Sequence, residues 1–267
     1  MTQPYEQIIN RIQGSKKYRD IGIPEETLID IINREAKYYP DYKSLEEVVR
    51  RKLHNIVAPY LENIDYAQEL HDIETAFDPS DESGIQSYCS YIMSQHASSK
   101  ERLPHLAAFY QIIFSYIGVP GSILDLACGL NPFAIPFMSL PKTTHYHAYD
   151  IHKPRIDLIN RFFSLYGMQA RAHHQDILVN PPEEKAEAAF FFKEAHRLEK
   201  RAPGSNRILW QALDVNFLII SLPITDLKHH HDLTMKHRKL VTETVAELNW
   251  RVTDFVIQDE IIFMIEK

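Results

Sequence analysis

The sequence is poor in cysteine: Cys89 and Cys128 are the only two in 267 residues. They lie far apart and without metal-ligand spacing, which excludes a disulfide framework and a cysteine-based zinc site and points to a reducing compartment. Long apolar runs are absent as well. No stretch reaches the roughly 20 residues needed to cross a bilayer, and the opening MTQPYEQIIN lacks a basic-then-apolar leader, so a soluble, cytoplasmic protein is expected. Nor is there an excess of positive charge: 29 Lys and Arg stand against 36 Asp and Glu, a net charge of -7. A surface for nucleic-acid phosphates must therefore be local. Residues 1–60 carry ten basic and nine acidic side chains, so any positive tilt lies there. Internal repeats and low-complexity tracts are missing. A hydrophobic content of 45% supports one large domain, or a core of about 150 residues with an appendage.

What the chain does have is organised around Ser122 to Pro132, SILDLACGLNP. Ile123, Leu124 and Leu126 form the apolar run of a buried parallel strand, and Ala127 to Pro132 break it sharply. Ligands of open α/β sheets bind where strands end, so Asp125 ahead of a turn built on Ala127 and Gly129 marks a nucleotide-like site. Asp150 closes the next run, HYHAYD, where an acid can accept from both hydroxyls of a ribose. A third element, ARAHHQD, leads into Gln175-Asp176-Ile177, well placed for an adenine edge and face. Three acids at successive strand ends read as a Rossmann-like first half. The turn has one glycine where dinucleotide folds have G-x-G-x-x-G, which disfavours pyrophosphate and favours a cofactor without phosphates, such as S-adenosylmethionine.

Apolar spacing predicts helices over Pro4 to Ile12 and Thr27 to Lys37. Behind the capping box Ser44-x-x-Glu47 comes another, with Leu45, Val48, Val49, Leu53 and Ile56 on one face. Asp78 to Gly84 reads as a polar, turn-rich loop and as the least ordered stretch. Ser98-x-x-Glu101 caps an expected helix from Ser99 to Tyr116, and Arg155 to Tyr166 forms another. Ala186 to Phe192 fits a strand buried on both faces. Val215 to Leu222 is a further strand, Leu233 to Leu248 a helix, and Val252 to Ile257 with Ile261 to Ile265 an antiparallel edge pair. The expected fold class is α/β: a helical N-terminal domain over residues 1–95 and a Rossmann-like methyltransferase domain over 96–267. His229 to His231 with His237 lack a ligand-fixing geometry, so no metal is expected.

HASSKERLP from His96 to Pro104, DLACGLNPF from Asp125 to Phe133, Asp150, Gln175 to Leu178, KEAHRLEKRAPG from Lys193 to Gly204, and the basic Arg50-Arg51-Lys52-Leu53-His54 together resemble the aminoglycoside-resistance 16S rRNA (guanine-N7) methyltransferases. The likeness runs over nearly the whole chain. It implies a monomeric, S-adenosylmethionine-dependent enzyme that methylates a decoding-region guanine in the 30S subunit and confers aminoglycoside resistance. It also implies that Arg102 reaches the carboxylate at the cofactor's methionine end and that His54 lies near the pocket. Asp125, Ala127, Gly129, Asp150, Gln175, Asp176 and Ile177 complete the expected cofactor site. Lys193 and Glu199 are the candidates for target engagement, Phe192 for stacking on a base, and Glu260 for a structural or target-orienting role. Where the family continues with a glycine- and arginine-rich loop, this chain reads Ser221 to His231 with Asp226 near an expected cation. Another RNA or a small molecule as acceptor therefore stays open, as does a cofactor-binding homologue without transferase activity.

Overall fold

The computed structural model describes residues 3–58, 64–226 and 231–267. Seven strands form one sheet: β1 (Ser122–Leu126), β2 (His145–Asp150), β3 (Ala170–His174), β4 (Ala186–Phe192), β5 (Val215–Pro223), β6 (Arg251–Ile257) and β7 (Glu260–Glu266). Their order is β3-β2-β1-β4-β5-β7-β6. The first five run parallel, and β7 enters antiparallel between β5 and β6. Strand order reverses between β1 and β4, so the crevice for ligands opens at the C-terminal ends of those two strands. This is the Rossmann-like sheet the sequence predicts, closed by an antiparallel pair at one edge.

The alternation of side chains across a strand explains why these segments are almost wholly apolar. On β4, Phe190 enters the core that also holds Phe109, Ile113 and Phe162, while Phe191 enters the opposite core with Leu198, Trp210 and Val241. Those cores lie under α7 (Leu106–Ile117) and α8 (Lys153–Tyr166) on one face, and under α9 (Ala195–Arg201), α10 (Ser205–Ala212) and α11 (Thr234–Val245) on the other.

The N-terminal helices α1 (Gln3–Gln13), α2 (Glu25–Glu35) and α3 (Tyr42–Val57) have a core of their own, from Ile8 to Val57. By contrast α4 (Tyr66–Ala76) and α5 (Glu82–Ser94) send Ile73, Ile85, Cys89 and Ile92 into the sheet's core. The stretch 1–95, expected as one helical domain, is thus divided in its packing. Among the described residues no helix is long and apolar enough to cross a membrane.

Three local expectations are corrected. The helix expected behind Ser44 begins earlier, because Asp41 accepts from the Ser44 amide at 3.0 Å and is itself the cap. The expected helix over 99–116 is split into α6 (Ala97–Arg102), a 3-10 turn at Leu103–His105, and α7. Pro104 lacks an N–H and its ring crowds the preceding turn, which interrupts the α-helical ladder. The last three residues of the supposedly least ordered loop, Glu82 to Gly84, are helix: Asp81 accepts from the Gly84 amide at 2.9 Å and caps α5.

Candidate active site

A cavity of about 880 Å³ opens at the C-terminal ends of β1, β2 and β4 and is roofed by Ile21, Ile56 and Val57 of the N-terminal helical cluster. Two left-handed residues shape its floor. Ala127 after β1 has φ 50° and Lys193 after β4 has φ 59°, conformations that strain a residue with a Cβ by about 1–3 kcal/mol. Gly129 also has positive φ, and a Cβ built on it meets nothing within 4 Å. That open side, in a residue lining the cavity, lets a ligand approach the backbone closely.

At the β1/β4 end the acid is Asp125, 1% exposed. It accepts from the Tyr146 hydroxyl at 2.6 Å and from Asn131 Nδ2 at 3.0 Å. Burial pushes its carboxyl up to about 7 despite these donors. Asn131 in turn accepts from Tyr110 at 2.5 Å and from Arg102 at 3.3 Å. Arg102 is buried and spends its planar fork on Glu260, at 3.1 and 2.6 Å, with a further bond to Ser221 at 3.3 Å. Four of its five N–H donors are therefore used, and one remains. With both Nη2 hydrogens given to Glu260 and Ser221, the remaining Nη1 hydrogen can reach a further carboxylate through a single bond. Glu260 lies behind the cavity wall. Burial would raise its carboxyl, but the charges of Arg102 and Lys193 outweigh that and hold it below the usual range. Lys193 is on the wall and reaches Glu101 at 2.6 Å and Glu260 at 3.4 Å.

The β2/β3 end has a different chemistry. Asp150 accepts from the Gly129 amide at 3.0 Å, the His152 amide at 2.8 Å and Arg155 at 2.9 Å. Three of its roughly four lone-pair sites are filled, leaving room for one hydroxyl rather than two. Burial opposes its charge, yet Arg155 and the two amides lower its carboxyl below the ordinary value. Asp176 is fuller still, with Arg201 bidentate at 3.0 and 2.6 Å, Thr27 Oγ1 at 2.7 Å and the Leu178 amide at 3.1 Å. Its carboxylate ties the helical cluster to the sheet and has no acceptor left for an adenine edge. Gln175 and Ile177 line the cavity beside it.

The structure therefore gathers Arg102, Asp125, Ala127, Gly129, Asp150, Gln175, Asp176, Ile177 and Lys193 around one cavity. Glu199 and His54 stand outside it. Glu199 accepts from the Gly204 amide at 2.5 Å and from Asn206 Nδ2 at 3.1 Å, anchoring the start of α10. His54 is exposed on α3 with Nδ1 at 2.9 Å from Lys17 Nζ. Phe192 lines the cavity, but it stacks on Phe190 at 5.0 Å and has the Arg102 guanidinium at 4.6 Å from its ring centre. His229 and His230 lie outside the described residues.

Sequence reasoning missed Asn131, Tyr146, Arg155, Arg201 and Thr27 as parts of this site. Arg155 did leave a signal: a cation in the first turn of a helix opposes the helix dipole and calls for an acidic partner nearby, which Asp150 is. Tyr146 gave none, being an ordinary core aromatic on an apolar strand.

The chain is 30% identical over 224 residues to the 16S rRNA (guanine(1405)-N(7))-methyltransferase of Micromonospora echinospora, covering 82% of this chain and 81% of that one. With the enzyme of the same name from Serratia marcescens it shares 31% over 219 residues, 82% of this chain and 80% of that one. The solved 16S rRNA methylase RmtB superposes with a TM-score of 0.81 at 26% identity, covering both chains entirely. The 16S rRNA methyltransferase RmtF in complex with S-adenosyl-L-homocysteine gives the same TM-score and identity, over 100% of this chain and 99% of that one. With a family match running from residue 14 to residue 264, the chain belongs to the ribosomal RNA methyltransferase (FmrO) family.

Proposed function

We propose that this protein is an S-adenosylmethionine-dependent methyltransferase that methylates N7 of a decoding-region guanine in 16S rRNA of the 30S subunit and so confers aminoglycoside resistance. It acts as a monomer in the cytoplasm, where its substrate is. The observation that carries this reading is the cavity at the sheet's reversal point, with buried acids at adjacent strand ends and Lys193 at the end of β4.

The residues fit the cofactor. A volume of about 880 Å³ lies in the range of pockets for ligands of drug size. Asp125 offers a carboxylate to an ammonium group, the last donor of Arg102 suits a carboxylate, and the free site of Asp150 takes a ribose hydroxyl. Ile151 and Ile177 on the wall supply apolar surface for a flat ring. The bound cofactor supplies a methyl group on a positively charged sulfur. Guanine N7 already carries a lone pair, so this chain needs no general base. Its task is to orient the two partners and exclude water. The Asn131–Arg102–Glu260 network does the orienting by fixing Asp125 on one side and Lys193 on the other. Lys193 and the rim around it meet the acceptor, and Glu260 positions both cations from behind.

The test is transfer of labelled methyl groups from S-adenosylmethionine to purified 30S subunits at low salt, with cofactor binding measured by calorimetry on the same preparation. Label mapped to N7-methylguanine in 16S rRNA is the expected result. Cofactor binding without label moves the acceptor to another RNA or a small molecule. Asp226 on the cavity wall is the feature that favours that outcome, since a carboxylate repels phosphates.

A further inference from the structure

Away from the cavity mouth, on the sheet face that carries α9 and α10, three metal-ligating side chains converge. His147 is on β2, His173 on β3, and Glu184 on the segment that crosses from β3 to β4 without a helix. Tyr146 and Ala172 point into the core under α8, so by strand alternation His147 and His173 share the other face. The register pairs His173 with Tyr149, two residues beyond His147, which makes the two histidines diagonal neighbours. One ligand atom from each of the three residues lies within 4.8 Å of the others.

We propose that His147 Nδ1, His173 Nε2 and Glu184 Oε1 form a zinc site that pins the β3–β4 crossover to the edge of the sheet. Four observations support it. The two imidazole nitrogens lie 3.1 Å apart, at hydrogen-bond distance, and a cation that displaces the shared proton finds both lone pairs already close together. Glu184 Oε1 is 4.0 Å from each nitrogen, on the same side of both rings' ligand atoms. The other oxygen of Glu184 accepts from the Tyr149 hydroxyl at 2.6 Å, the kind of outer hydrogen bond that orients a ligating carboxylate. The His173 ring is fixed between Tyr149, stacked at 4.6 Å, and His147 at 5.3 Å.

Two His and one Glu are a known zinc donor set that leaves a fourth position for water. Tetrahedral coordination separates ligand atoms by about 3.3 Å, given bonds of about 2.0–2.1 Å. The nitrogens are already close to that spacing, and Glu184, half exposed on an irregular segment, has to close the remaining gap. Side-chain exposures of 27%, 17% and 38% leave a path for the ion. Arg171 pairs with His147 across β2 and β3, and its positive charge weakens the site relative to a closed structural zinc centre. Tyr149 also lines the cofactor cavity, so an ordered crossover steadies that wall.

The experiment uses full-length protein without a histidine tag, in an H229A/H230A/H231A background that removes the contiguous histidine run as a competing binder. Zn²⁺ is titrated by calorimetry, and Co²⁺ by its visible absorption. One equivalent of either ion with micromolar affinity is expected, with a Co²⁺ band typical of four- or five-coordination. His147→Gln and Glu184→Gln should each weaken binding at least tenfold. Glu184→Gln, on the irregular crossover and outside the β-strands, guards against misfolding, with far-UV circular dichroism as the check. Absence of binding at submillimolar Zn²⁺ in the parent, or binding that survives both substitutions in folded protein, overturns the proposal. Because metal is measured without methyl transfer, the result is independent of the acceptor.

Discussion

The two ends of the cavity bury aspartates equally well and treat them oppositely. Asp125 at the β1 end meets only neutral donors, Tyr146 and Asn131, and its carboxyl rises to about 7. Asp150 at the β2 end meets a guanidinium and two amides, and its carboxyl falls below the ordinary value. Burial is the leading influence on both, so the sign of the shift is set by the partner and not by depth. The nearest guanidinium at the β1 end, that of Arg102, is committed to Glu260. Asp125 is thereby left undercompensated, ready for a cationic ligand. At the other end Arg155 compensates the acid in advance, and Asp150 has one polar site to offer a neutral hydroxyl.

The severest way to break this contrast is Arg102→Ala. It leaves the buried Glu260 carboxylate, 7% exposed in its side chain, with Lys193 at 3.4 Å as its remaining cationic partner, so the loss should fall near the low end of the cost of breaking a buried pair, about 3 kcal/mol. Urea denaturation should show that loss. Methyl transfer should fall with it, because Asn131 loses its guanidinium donor and Glu260, which holds Lys193, loses its bidentate partner.

Asp150→Asn is next. It removes the negative partner of Arg155 but keeps an acceptor, for an expected loss of about 2 kcal/mol at pH 7. A carboxyl depressed in the folded state stabilises above its unfolded value and loses that contribution as pH falls. The variant should therefore approach the parent in stability under acid, and calorimetry at pH 7 should find cofactor affinity reduced about tenfold or more.

Asp125→Asn is the mildest and the most informative. Its folded value of about 7 lies above the ordinary 3.8, so its stabilising contribution is present below 3.8 and lost as pH rises through 7. The parent should lose stability between about pH 4 and 8 through this group, and the variant should not. Binding of a cofactor ammonium needs the ionised form. Affinity in the parent should then rise by up to about tenfold per pH unit below 7, and the variant should show a flat, weaker profile. An equal pH dependence in both would assign the titration to another group.

Much of this site was legible one element at a time. Asp125, Ala127 and Gly129 belong to a single strand and its turn, and Asp150 closes the next strand. Their proximity needs only that successive parallel strands end at the same edge of a sheet. Where Glu199 turns was not legible, because a position on a helix does not say which way its carboxylate points, and here it points to the start of α10. The split at Pro104 was a matter of degree: proline is tolerated in a first turn, and this one falls just past the short α6.

The sequence by itself determined the Rossmann-like sheet and the cavity's acid-bearing floor, because those follow from local alternation of apolar runs, turns and strand-end acids. Only the tertiary structure decided which charges cancel. Arg102 meets Glu260 across 158 residues and Thr27 meets Asp176 across 149, and the histidines of β2 and β3 meet Glu184 on the crossover. Such contacts depend on strand order and register, which bring distant residues to one face, and no local pattern in the chain encodes that distance.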